Sequence, residues 1–120
     1  MIKIIDHKIA KEELKNLCQA WFGDMVKLVV DINLLKIAVG GDLHADGEDY
    51  LLQSGSRQEN LWGVNFYPWN KQESRIEYTA LINIRPHQDN PNMEILDTNI
   101  RTKIKDIVED KIMFSNEKLV

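Results

Sequence analysis

No apolar run in the 120 residues approaches the roughly 18–20 that a membrane-spanning helix needs, so a membrane protein built of helices is not expected. There is one cysteine, Cys18, which excludes an intrachain disulfide and removes any need for an oxidising compartment. Positive charge is in deficit, with a formal net charge of −4, which argues against non-specific binding to nucleic acid or anionic membranes. The opening MIKIIDHK lacks the apolar stretch of a secretory signal, so a cytoplasmic location is expected. Repeats, low-complexity segments and linkers are missing too. One α+β domain over residues 1–114 is expected, with a flexible tail at 115–120.

What is present is periodicity. Ile2, Ile4 and Ile5 start a short edge strand, and Ala10–Phe22 then turns helical with Leu14, Leu17, Cys18 and Trp21 on one stripe. Met25–Ile32 and Leu35–Val39 alternate as a hairpin at the middle of a sheet, although the connection has no Asn-Gly or Asp-Gly signal. Asp46–Gln53 reads as a short helix capped by Asp46, with Tyr50, Leu51 and Leu52 as its buried contacts. Leu61–Tyr67 and Ile76–Arg85 alternate as two long strands, stopped by Pro68 and Pro86 and joined by a polar loop. Asp97 caps a last helix from Thr98 to about Met113. The sum is α+β: a mainly antiparallel sheet of about four long strands, with two longer helices and one short helix on one face. The other face is left partly wet.

Unusual residues concentrate between Gly40 and Pro68, GGDLHADGEDYLLQSGSRQENLWGVNFYP. Asp42, His44 and Asp46 alternate, so an extended segment would turn an imidazole and two carboxylates the same way, a donor set suited to a divalent metal. Against it stands the lack of any HxxxH or HExxH pattern, and the ordinary account makes Asp46 a helix cap. No resident cofactor is expected. Gly55-Ser56-Arg57 resembles the Gly-Ser turn of nucleotidyltransfer enzymes, yet the next strand, LWGVNFY, lacks the Asp-x-Asp that holds magnesium. Ser56 has no visible base.

The strongest polar set lies on the odd positions of two neighbouring strands. Asn65, Glu77, Asn83 and Arg85 share one sheet face, and an in-register hairpin sets Asn65 beside Glu77. Arg85 can clamp a carboxylate or phosphate, with His44 and Gln58 arriving from loops at the strand ends. The expected function is binding of a small polar or anionic molecule on the open sheet face. Two alternatives stand beside it. One is a hydrolase or transferase with His44 as general base, Arg85 as anion clamp and a metal on Asp42 or Asp46. The other is a homodimer or protein-interaction module that buries the sheet face or the Trp69 loop.

The set GDMVK at 23–27, GGDLHAD at 40–46, GSRQENLWGVNFYP at 55–68 and INIRP at 82–86, followed by Asn90, is similar to a family of small prokaryotic proteins catalogued as a domain of unknown function. The resemblance runs from Gly23 through the last helix. Its motif positions are Gly41, His44, Asp46, Gly55, Ser56, Gln58, Trp62, Gly63, Asn65, Pro68, Asn83, Arg85 and Pro86, and it assigns none of them a role.

Overall fold

Residues 1–119 are described by the computed structural model. Its centre is the hairpin of β2 (Val26–Asp31) and β3 (Lys36–Val39), both more apolar than a strand with one wet face would be. Val26, Leu28 and Val30 are buried on one side, and Val29, between them, is buried on the other. Such a strand needs cover on both faces.

The hairpin turns without an Asn-Gly pair because Asp31 does that work. Its Oδ1 accepts from the backbone N–H groups of Asn33 (2.9 Å) and Leu34 (2.8 Å), and Leu35 takes the left-handed conformation at φ 58°. This is an Asx-type turn, in which a side-chain oxygen replaces a backbone acceptor.

Around the hairpin, β1 (Lys3–Ile5) pairs with β3, while β4 (Leu61–Phe66) pairs with β2 and β5 (Ile76–Glu77) with β4. The order is β1-β3-β2-β4-β5, antiparallel throughout. The even-numbered residues of β2 and β4 face the main core, where Trp62, Val64 and Phe66 meet α1 (Lys11–Trp21) and α3 (Thr98–Lys111). Asp97 caps α3 as expected, its Oδ1 accepting from Asn99 N (2.8 Å). Cys18 is completely buried in this core, and burial, reinforced by Asp24, pushes its thiol up to about 11. It is a packing group.

The short helix lies elsewhere than expected. α2 (His44–Gln53) packs on the opposite face, where Leu51 joins Val29, Ala38 and Leu61. The α+β architecture holds, but the helices cover both faces of the sheet, not one. Gly47 makes the close approach feasible, since a Cβ there would stand 3.1 Å from Val29 Cγ2 and 3.3 Å from Ala38 Cβ. The helix also begins two residues early. Leu43 is its N-cap, with no side-chain hydrogen bond, and Asp46 lies in the first turn. Tyr50 and Leu52 are exposed, so Leu51 alone of the expected trio is buried.

Two further expectations are corrected. The strand expected over Ile76–Arg85 ends at Glu77, and the chain then forms short 3-10 turns at Leu81–Asn83 and Pro86–Gln88. Residues 115–119 are pinned where a loose tail was expected: Arg75 donates to the carbonyls of Ser115 (3.2 Å) and Glu117 (2.6 Å), and Leu119 is buried. Val120 lies outside the described residues.

Candidate functional site

The early end of β5 leaves most of the β4 edge without a strand partner, and side chains take its place. Asn83, fully buried, accepts from Gly63 N through Oδ1 (2.8 Å) and donates to Gly63 O through Nδ2 (2.9 Å). A primary amide offers the same donor and acceptor as a peptide unit, so Asn83 pairs with β4 as a strand would. Two residues along, Arg85 donates to the carbonyl of Leu61, and it reaches those of Gln58 and Ile82 (3.2 Å) as well. Its guanidinium lies 4.2 Å over the Trp62 ring. Asn90 locks the loop behind them, donating to Asn83 O (2.8 Å) and accepting from Leu96 N (2.9 Å).

This changes the reading of two expected ligand residues. Arg85 is only 3% exposed and spends its donors on carbonyl oxygens and on Gln88 Oε1 (3.1 Å), so it does not stand on an open face as an anion clamp. Asn83 is equally engaged. Gln58 contributes its carbonyl to Arg85, and its side chain lies beside Glu48, whose carboxyl burial pushes up while Arg85 and Gln58 pull it down. These residues close the sheet edge.

His44, Asn65 and Glu77 collect on the α2 side of β4. Asn65 and Glu77 pair in the expected register, Asn65 Nδ2 donating to Glu77 Oε1 at 2.8 Å. The row continues across the other side of β4, because Lys27 in β2 is the register partner of Asn65 and its Nζ donates to Asn65 Oδ1 at 3.5 Å. Tyr67 adds a hydroxyl on Glu77 Oε1 at 3.3 Å.

His44 stands over this row from the first turn of α2. It is buried because Gly63 has no side chain: a Cβ at Gly63 would lie 3.1 Å from the imidazole Cδ2 and 2.7 Å from Ala80 Cβ. The Nε2 is 2.8 Å from Val64 O, and since a carbonyl can only accept, Nε2 carries the proton and Nδ1 of the neutral ring is unprotonated. Burial lowers the imidazole pKa to about 4, against the bond to Val64, which raises it. The ring is neutral at pH 7.

Between α2's first turn, β4 and the 79–82 segment lies a cavity of about 300 Å³. Its polar lining is Lys27, His44, Asn65 and Thr79; its apolar lining is Leu43, Ala45, Ala80, Leu81, Ile82 and Met93. Sequence reasoning found His44 and Asn65 but missed Lys27 and the apolar walls. Lys27 became legible only once β2 was known to pair with β4.

Other expected chemistry is not assembled. Asp42 and Asp46 are exposed, and among the described residues no group of three or more His, Cys, Asp or Glu side chains is placed to hold a metal ion. Ser56 donates to Asp31 Oδ2 at 2.6 Å, tying the loop after α2 to the hairpin turn.

The architecture is a five-stranded antiparallel sheet with helices on both faces and a small mixed-polarity cavity beside β4. The chain belongs to the family described as "Protein of unknown function (DUF5674)", which matches residues 3–111. No curated protein and no solved structure matches the chain significantly. No helix among the described residues is long and apolar enough to cross a membrane.

Proposed function

We propose that this cavity binds a small polar or anionic molecule and that the protein works as a binding module. The observation that carries this is the convergence of a cation, an amide and a neutral imidazole, from β2, β4 and α2, on one cavity whose remaining walls are mostly apolar. A largely apolar concavity with a few convergent polar groups is the usual form of a small-molecule site. The site differs from the expected one in membership. Lys27 takes the cationic role once given to Arg85, while Asn65 and His44 keep their places, with Glu77 behind Asn65.

Binding is favoured over catalysis by the state of His44. Its Nδ1 is unprotonated, but a ring with a pKa of about 4 is a weak general base at neutral pH. A second reading comes from the rim, where Leu43 is 60% and Leu81 68% exposed, an apolar surface that a second copy of the chain could cover.

The test is an amide-resolved NMR titration with a panel of organic acids, sugars, nucleotides, inorganic phosphate and neutral amides. A ligand of the cavity moves Leu43–Ala45, Asn65 and Thr79–Ile82 together. Shifts confined to other parts of the fold, or none with any compound, would refute the reading, and sedimentation as a dimer at micromolar concentration would favour the second copy.

A further inference from the structure

Resting on the cavity being a ligand site, we infer that its ligand is an amphipathic monoanion: one carboxylate held by Lys27, whose ammonium Asn65 positions, and a short apolar body against Leu43, Leu81, Ile82 and Met93. The charge count comes first. Among the described residues, Lys27 is the sole formally charged one in the lining, because His44 is neutral at physiological pH. Lys27 also makes no ion pair among the described residues. Its hydrogen bond is to Asn65 Oδ1 at 3.5 Å, the long limit of such a bond, and its ammonium lies 5.4 Å from the centre of the Phe22 ring, a contact that spends no hydrogen-bond donor, so donor capacity remains for a ligand.

One positive charge matches one negative charge. A phosphate dianion would bring a second charge with no partner, and Glu77, bonded to Asn65 Nδ2 at 2.8 Å, repels the excess from behind. Glu77 also orients the amide: with Nδ2 committed to the carboxylate, Asn65 presents Oδ1 towards Lys27 and so fixes where the ammonium sits.

The wall chemistry excludes a sugar or other polyol. Polar lining comes from four residues, and the Nε2 of His44 is already spent on Val64 O. A polyol buried there would leave hydroxyls without partners, which is costly. The other walls are aliphatic or thioether, and Leu43, Leu81 and Met93 stand exposed at them. Apolar surface of this kind is removed from water by a hydrocarbon chain and gains nothing from a hydroxyl. An anionic head and an apolar body are therefore both called for, and the cavity's size keeps the molecule small.

The experiment compares hexanoate, hexanamide and inorganic phosphate by calorimetry and NMR on the intact chain and on Lys27→Met. Hexanoate should shift the resonances of Leu43–Ala45, Asn65 and Thr79–Ile82 and bind about tenfold or more tighter than hexanamide, the difference a charge-assisted contact supplies. In Lys27→Met the two should converge, with the amide spectrum confirming that the variant is folded. Phosphate binding at these resonances as tightly as hexanoate would overturn the inference, and so would hexanamide equal to hexanoate in the unmodified chain. If the wider panel yields a ligand for the cavity while hexanoate leaves it unmoved, the ligand class is wrong and the cavity stands. If nothing moves those resonances, both fall.

Discussion

The side-chain amide of Asn83 pairs with both backbone polar groups of Gly63, at 2.8 Å and 2.9 Å, where a strand was expected to lie. Loss of this amide strands two buried groups at once. Asn83→Ala should lower the unfolding free energy by about 2–4 kcal/mol, the cost of leaving a buried donor and acceptor unpaired. Asn83→Asp keeps the acceptor for Gly63 N but loses the donations to Gly63 O and Met93 O, and should be no better tolerated. Urea unfolding of the three proteins checks this; a loss under about 1 kcal/mol for Asn83→Ala would mean that water replaces the amide.

Gly63 is also the floor on which His44 and Ala80 rest. Gly63→Ala puts a methyl group 2.7 Å from Ala80 Cβ, too close for either to remain where it is. Overpacking of this kind should cost about 1–3 kcal/mol, and the His44 resonances should shift with it. Adding Ala80→Gly should recover part of the loss, a coupling that a double-mutant cycle measures directly. Independent, additive losses would show that the two residues do not press on each other.

His44 makes stability depend on pH in a defined direction. Its folded pKa, about 4, lies below the ordinary 6.5, so the unfolded chain takes up the proton first. The contribution is complete above pH 6.5 and declines as pH falls from there towards 4, by about 2–3 kcal/mol at pH 4.5. In His44→Gln it is absent. The gap in unfolding free energy between the unmodified chain and this variant should therefore be smaller at pH 4.5 than at pH 7.5 by that amount. A gap that does not change with pH would mean that the folded protein protonates the ring as readily as the unfolded one.

The elements that could be read in advance are those whose residues carry their own signal. Asp97 before an apolar period marks α3, and alternation in Val26–Asp31 and Leu61–Phe66 marks the paired strands. The Asn65–Glu77 pair was legible because a hairpin with a known face permits one such register. Ile76–Arg85 misled because its alternation is real but serves two purposes. Ile76 and Tyr78 pack at the main core and Ile82 at the second cluster, while Asn83 and Arg85 turn back to β4 as side chains. Alternation reports burial, and it cannot say whether backbone or side chain makes the hydrogen bonds.

The position of α2 was half legible. Val29, Ala38 and Leu61 are apolar residues on the face assigned to water, and together they ask for a cover that Leu51 supplies. Lys27 was hidden by a different cause. Its partner Asn65 is 38 residues away, and nothing local states that β2 and β4 are neighbours.

Side-chain closure of β4 also bears on how the molecule meets copies of itself. An open strand edge is a template on which another chain can add, and proteins commonly blunt it with charge, proline or a covering loop. Here the covering consists of one amide and one guanidinium, at Gly63 and Leu61. A plug of two residues is compact, and it fails in a specific way: removing Asn83 uncovers the N–H and C=O of Gly63, and removing Arg85 the C=O of Leu61, on a strand whose neighbours are already ordered. Intermolecular strand addition would then begin from a nearly native fold, so at these two positions tolerance to substitution is set by solubility as well as by folding.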